Sequence, residues 1–126
     1  MTMPTELSIL CVDDDQGVLR SLKRLLTADG HSVTTETDPL EALAGIKANP
    51  GALQLVITDL RMPGLDGPAF IQRARADGYA GEFFVVTGSI EDYDRSRFRD
   101  LDIRFVFEKP VDAALLLDAV RELERV

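Results

Sequence analysis

Hydrophobic runs long enough to cross a bilayer are missing from this sequence. No apolar stretch approaches the roughly 20 residues such a helix needs, and the N-terminus lacks a basic-then-apolar signal pattern. Both absences point to the cytoplasm. Cysteine is nearly missing as well. The single Cys11 has no internal disulfide partner, and its place inside an apolar run reads as a buried structural thiol, not a reactive one. Histidine is equally scarce: His31 stands alone, so neither a His/Cys metal site nor an internal histidine phosphodonor is expected, and its turn setting after Asp29-Gly30 suggests the surface. Basic residues are in deficit, with 14 Lys and Arg against 22 Asp and Glu and a net charge of −8. Nucleic acid phosphates are held by Lys and Arg, so the balance argues against direct nucleic acid binding. Repeats, low-complexity tracts and linkers are also absent. Residues 1–126 therefore read as one domain, and at 45% hydrophobic and 29% charged residues as an ordinary globular one with a proper core.

What the sequence does have is a central stretch, Leu55-Val56-Ile57-Thr58-Asp59-Leu60-Arg61-Met62-Pro63-Gly64. Apolar residues at consecutive positions mark a strand covered on both faces, as in a parallel α/β sheet. The Pro/Gly cluster stops that strand at once, leaving Asp59 at its carboxyl end, where open α/β sheets place their ligands.

Other elements follow the same alternation. Leu7–Val12 reads as a strand running into Asp13-Asp14-Asp15. Val18, Leu19, Leu22, Leu25 and Leu26 recur at helical spacing from about Gln16 to Ala28, with Asp15 placed to cap the helix, and Asp29-Gly30 ends it. A short strand, Ser32–Glu36, precedes a helix opened by Asp38-Pro39-Leu40-Glu41: Asp as N-cap, Pro at the first helical position, Glu closing a capping box. After the central strand come a helix over Pro68–Ala76, a strand over Phe83–Val86 ending in Thr87-Gly88-Ser89, and a segment, Ile90–Leu101, that makes a poor helix. Eight of the twelve residues from Glu91 to Asp102 are charged. A fifth strand, Ile103–Phe107, ends in Glu108-Lys109-Pro110, and Asp112 caps a last helix. Five strands alternating with five helices give an α/β, doubly wound parallel sheet. Right-handed crossovers favour the strand order 2-1-3-4-5.

In that order the carboxyl ends of strands one, three, four and five bring Asp13 and Asp14, Asp59, Thr87 and Lys109 to one rim. Three close carboxylates repel one another, and a divalent cation with oxygen ligands is the natural remedy. Mg2+ suits best, because it accepts a few carboxylates and takes phosphoryl oxygens in its remaining positions. The lysine and the hydroxyl complete a cradle for a dianion. Such a site could move a phosphoryl group onto a carboxylate.

The acidic pair Asp13-Asp14, the stretch T-D-L-R-M-P-G-L-D-G around Asp59, Thr87-Gly88 and Lys109-Pro110 stand in order at spacings that resemble the receiver domain of two-component response regulators. The resemblance covers essentially the whole chain. It implies a flavodoxin-like three-layer sandwich in which Asp59 is the phosphoacceptor. It further implies Mg2+ held by Asp14, Asp59 and the Arg61 backbone carbonyl, with Asp13 acting through water. Thr87, Lys109 and the Gly88 backbone are implied to bind the phosphoryl group, and the Lys109-Pro110 bond to be cis. The implied partners are a histidine kinase or phosphotransfer protein and a downstream effector domain or protein. The signalling surface is the helix after strand four, strand five and the last helix, a surface through which a homodimer could also form. The receiver would assist its own aspartyl phosphorylation and dephosphorylation without being an enzyme in the ordinary sense.

One position departs from the pattern. Receivers usually carry Tyr or Phe three residues before the strand-five lysine, and here that switch position is Val106. Strand alternation points Phe105 and Phe107 to the same face and Val106 to the other, so the partner of Thr87 in the usual switch is in question unless a one-residue bulge restores the register. Two other functions stay in view. A metal-dependent phosphatase with an aspartyl-phosphate intermediate typically has a second Asp two residues after the nucleophile, where this chain has Arg61. A phosphorylation-independent, receiver-like binding module gains weight only from Val106. The 126 residues are expected to hold no output domain, which leaves open a single-domain regulator or the receiver of a longer protein.

Overall fold

The computed structural model describes residues 5–92, 96 and 100–124. Its strands are β1 (Ser8–Val12), β2 (Ser32–Glu36), β3 (Leu55–Asp59), β4 (Glu82–Thr87) and β5 (Ile103–Glu108). Its helices are α1 (Gln16–Ala28), α2 (Pro39–Ala48), α3 (Gly67–Ala76) and α4 (Ala113–Glu124), with a short 3-10 turn at Ile90–Asp92. Residues 93–95 and 97–99 of the poor helix expected over 90–101 lie outside the described residues.

All four strand pairings are parallel, and the order is β2-β1-β3-β4-β5, as the alternation of elements predicts. Every residue of β3 is buried, which is why its apolar positions run consecutively. Successive residues along the strands feed two separate cores. Leu10, Val12, Val56, Phe83 and Val85 pack beneath α2 and α3 with Phe70 and Ile71. Ile9, Cys11, Ile57 and Phe84 pack beneath α1 and α4 with Leu26 and Leu116. Cys11 is fully buried, and that burial pushes its thiol up to about 12, the inert state the apolar run predicts.

Each helix starts on an aspartate. Asp15 accepts the Gly17 and Val18 N–H groups, Asp38 that of Leu40, Asp66 that of Ala69, and Asp112 that of Leu115. A cap of this kind contributes about 1 kcal/mol. The capping box expected of Glu41 is not formed, because the Asp38 N–H donates to Glu36 Oε1 instead (3.1 Å).

His31 is the clearest correction. It is 5% exposed, not a surface residue. Its Nδ1 accepts the Leu7 N–H (3.1 Å) at the entry to β1, and its Nε2 lies 3.0 Å from Glu124 and 3.8 Å from Asp29. Neither carboxylate is aligned for a hydrogen bond with Nε2. The end of α4 covers a turn that, taken alone, would face water.

The edge strand β5 contains an irregularity. Phe83 pairs with Ile103, but Phe84 pairs with Phe105, so Arg104 is an extra residue of the kind that makes a β-bulge. Its effect is to put Ile103 and Val106 on the α2–α3 side while Phe105 and Phe107 stay on the α1–α4 side, against Phe84 at 5.4 and 5.7 Å. The bulge precedes Phe105 and so brings no aromatic ring to the position of Val106.

Candidate functional site

At the end of β1 the chain turns sharply, and Asp13 folds back under it. Its Oδ1 accepts the Asp15 N–H (2.9 Å) and its Oδ2 lies 2.8 Å from Lys109 Nζ. Asp13 is 2% exposed, whereas Asp14 points outward and is exposed. Asp15 has the separate task of capping α1.

Asp59 closes β3 and is 8% exposed. The Leu60 N–H donates to its Oδ1 at 2.7 Å, with the Arg61 N–H more distant at 3.5 Å. Its Oδ2 lies 3.3 Å from Lys109 Nζ. One oxygen is thus held by the backbone and the other is turned toward the lysine. Two glycines make this turn feasible. Gly64 adopts φ +85°, which favours a residue without a Cβ. At Gly67 a Cβ would stand 2.9 Å from the Asp59 carbonyl oxygen, so only glycine lets the start of α3 press this closely on the acidic loop.

Thr87 ends β4 one residue beyond Val86, the register partner of Asp59. It is 2% exposed. Its hydroxyl donates to the Ser89 carbonyl (3.0 Å) and accepts the Ser89 N–H (3.2 Å). The Lys109 N–H donates to the Thr87 carbonyl (2.7 Å), joining the ends of β4 and β5. The Lys109-Pro110 peptide is cis, in agreement with the expectation. Gly88 has open space where a Cβ would stand.

Oxygens of Asp13, Asp14 and Asp59 lie within 4.8 Å of one another. Two carboxylates about 5 Å apart repel by on the order of 3 kcal/mol at an effective dielectric near 20. Lys109 answers part of that repulsion by bridging Asp13 and Asp59; Asp14 is outside its reach. Burial pushes the Asp13 carboxyl above its ordinary range, with the Asp59 charge adding, and the bonds from Lys109 and the Asp15 N–H only partly offset this. Burial alone would lower the Lys109 ammonium. The hydrogen bond and charge of Asp13, joined by Asp59, outweigh it and hold the lysine above its usual value. Three oxygen ligands with one carboxylate left unmatched by the lysine fit a hard divalent cation such as Mg2+.

The expected residues Asp13, Asp14, Asp59 and Lys109 therefore meet at one point, with Thr87 at the adjoining strand end. Val106 belongs to the core beneath α3. Two side chains escaped the sequence reading. Glu108 accepts the Ile90 N–H at 2.8 Å, and Arg75 donates to the carbonyls of Tyr79, Gly81, Leu101 and Asp102. Neither has a local sequence signal, since each reaches backbone on a different element.

A doubly wound 2-1-3-4-5 sheet with an acidic, lysine-bridged site at the carboxyl ends of its strands defines a flavodoxin-like α/β domain with its site at the usual switch point. The chain belongs to the response regulator receiver domain family, whose family model matches residues 9–121. It is 33% identical over 120 residues to the transcriptional regulatory protein FixJ of Azorhizobium caulinodans, covering 94% of this chain and 56% of that protein. It is 35% identical over 118 residues to the response regulator MprA of Mycobacterium leprae, covering 93% and 50%. The chain thus spans about half the length of these curated relatives. Among solved structures, a response regulator receiver domain protein from Clostridium thermocellum superposes with a TM-score of 0.84 at 26% identity, covering 93% of each chain. The receiver domain of the hybrid histidine kinase CckA superposes at 0.78 with 29% identity, covering 94% of this chain and 99% of that one.

Proposed function

We propose that this receiver domain, spanning residues 1–126, is a phosphorylation switch in which Asp59 takes a phosphoryl group from a phosphohistidine. The observation that carries the reading is the Asp59 carboxylate itself: Oδ1 held by the Leu60 N–H, Oδ2 turned to Lys109 in the company of Asp13 and Asp14. Oδ2 is the nucleophile. A bond forms from it to phosphorus as the histidine nitrogen–phosphorus bond breaks, and the imidazole leaves with the electron pair. Mg2+, when held by Asp14, Asp59 and the Arg61 carbonyl with Asp13 acting through water, supplies charge neutralisation for the phosphoryl oxygens. Lys109 pairs with the same group from the opposite side, and Thr87 and the Gly88 N–H hydrogen-bond its remaining oxygens. These residues speed the domain's own phosphorylation and the later attack of water on the aspartyl phosphate; no separate substrate is turned over.

The phosphodonor is a histidine kinase or phosphotransfer protein in the cytoplasm. An open groove of about 710 Å³ runs from Lys109 along α1, floored by Val18, Leu22, Leu25, Pro110 and Val111, and this apolar floor beside the lysine that contacts Asp59 suits a donor helix. The output passes to an effector domain or protein, or to a second copy, through β5, α4 and the segment after Thr87. Ile90 and Leu115 are exposed apolar residues on that side. Incubation with Mg2+ and acetyl phosphate tests the reading. The protein is expected to gain one phosphoryl mass, and Asp59→Asn to gain none while keeping its fold. Equal labelling of the variant removes Asp59 as acceptor.

A further inference from the structure

Val106 is too short for the inward swing made by an aromatic ring at its position, and its β-branch confines it to few rotamers. The route by which Thr87 communicates with the segment after β4 must therefore lie elsewhere. The peptide joining Ser89 to Ile90 is pinned at both of its ends. Its carbonyl accepts the Thr87 hydroxyl at 3.0 Å, and its N–H donates to Glu108 Oε2 at 2.8 Å. Because a peptide unit is planar and rigid, these bonds hold a single object. The backbone of Glu108 is fixed in place: it pairs with Thr87 in the β4–β5 register and adjoins Lys109, whose N–H donates to the Thr87 carbonyl at 2.7 Å.

We infer that Glu108 is a positioning residue which, through the Ser89–Ile90 peptide, holds Thr87 in its resting orientation and so sets the threshold of the switch. The inference rests on the phosphoacceptor reading of Asp59 and adds to it a regulator on the outer side of Thr87. To donate to a phosphoryl oxygen, the Thr87 hydroxyl must release the Ser89 carbonyl. With that bond released the peptide is free to turn, and the turn strains or breaks the bond from Ile90 to Glu108. While Glu108 keeps its grip, the resting arrangement is favoured; when the grip is lost, the activated one gains population. Motion of the peptide carries the start of the following segment with it, in place of a ring rotating through the core.

Glu108 is exposed, so its variants are expected to fold, and two of them separate tether from charge. Glu108→Ala removes both, whereas Glu108→Gln keeps an oxygen that accepts the Ile90 N–H and removes only the charge. Beryllofluoride with Mg2+ serves as the probe for the phosphoryl state, its affinity read by calorimetry beside that of Mg2+ alone. Glu108→Ala is expected to bind beryllofluoride about threefold or more tighter than the native protein with unchanged Mg2+ affinity, and Glu108→Gln to stay near native. In the metal-free protein, the Ile90 amide is expected to exchange faster in Glu108→Ala but not in Glu108→Gln. Equal beryllofluoride affinity in the alanine variant and the native protein overturns the inference. Equal gains in alanine and glutamine variants also overturn it, by assigning the effect to charge. Failure of the native protein to take beryllofluoride or acetyl phosphate sinks the phosphoacceptor reading first, and is distinct from either result.

Discussion

Lys109 is the residue on which the electrostatics of the site depend. Its ammonium lies 2.8 Å from Asp13 and 3.3 Å from Asp59, and Asp13 has almost no solvent of its own. Removing one partner of a buried pair leaves the other charge uncompensated, at about 3–5 kcal/mol. Lys109 keeps 23% side-chain exposure, so water and salt reduce that figure. Lys109→Met is expected to destabilise the metal-free protein by about 1–3 kcal/mol in urea unfolding. Asp13→Asn placed in the same background should restore much of the loss, and a purely additive double-mutant cycle would show the two residues to be uncoupled. The pH dependence has a definite sign. Asp13 has a carboxyl raised in the folded state, so its neutral form favours folding below the ordinary carboxylate value, and that contribution is lost as pH rises through the folded one. The cost of Lys109→Met should accordingly be full at neutral pH and fade as Asp13 takes up its proton in acid. The lysine's own contribution, from a raised ammonium, is fully present below its ordinary value of 10.5 and is lost as pH rises through its higher folded value. At this scale the site was legible because strand-end residues in a parallel sheet must converge. His31 was not, because its burial depends on the Leu7 N–H and the end of α4, both remote in sequence.

Between elements, Arg75 is the joint that sequence patterns do not reveal. From the last turn of α3 its guanidinium donates to Gly81 (2.7 Å) and Tyr79 (3.1 Å) before β4, and to Asp102 (3.2 Å) and Leu101 (3.3 Å) before β5. It also lies over the Phe83 ring, 4.9 Å from the centroid, a favourable cation–π position. Asp102 at φ +62° turns its carbonyl into this cluster. Four carbonyls from two loops need a planar fork of donors, which lysine lacks. Arg75→Lys is therefore expected to cost about 1–2 kcal/mol and to increase proteolytic nicking around residues 100–102. Native-like stability together with native-like resistance would show that the fork is dispensable. Helix caps were readable as Asp before an apolar period, yet Glu36 displaced Glu41 at the start of α2 because it reaches the same N–H from the preceding strand. The β5 bulge at Arg104 was likewise unreadable, since nothing in Ile-Arg-Phe-Val-Phe distinguishes a regular edge strand from one with an extra residue.

Across the whole molecule, the sheet divides the interior into two cores, and this division decides where a signal from Asp59 can travel. Sequence periodicity made the sheet order legible, because buried parallel strands and amphipathic helices alternate with few allowed crossovers. The core beneath α1 and α4 holds Phe84, Phe105 and Phe107 in mutual contact. The other core contains Val106, Ile103 and Leu101, smaller side chains adjoining the charged segment after β4. A phosphoryl group adds roughly −1.5 to −2 charge near neutral pH and demands new hydrogen bonds, which Thr87 can meet only by leaving Ser89. The response is therefore expected to run along the α3 side, through Gly88–Asp92 and on to Leu101–Ile103. Hydrogen exchange with and without beryllofluoride and Mg2+ reads this as a map. Changes in protection should centre on peptides covering 88–92 and 100–103 and leave β2 and the inner face of α1 near native. The competing outcome is equally concrete. If protection changes only beside Asp59, Thr87 does not transmit outward and a phosphorylation-independent binding module becomes the better account. If it changes instead along Phe105, Phe107 and α4, the aromatic core carries the signal in spite of Val106.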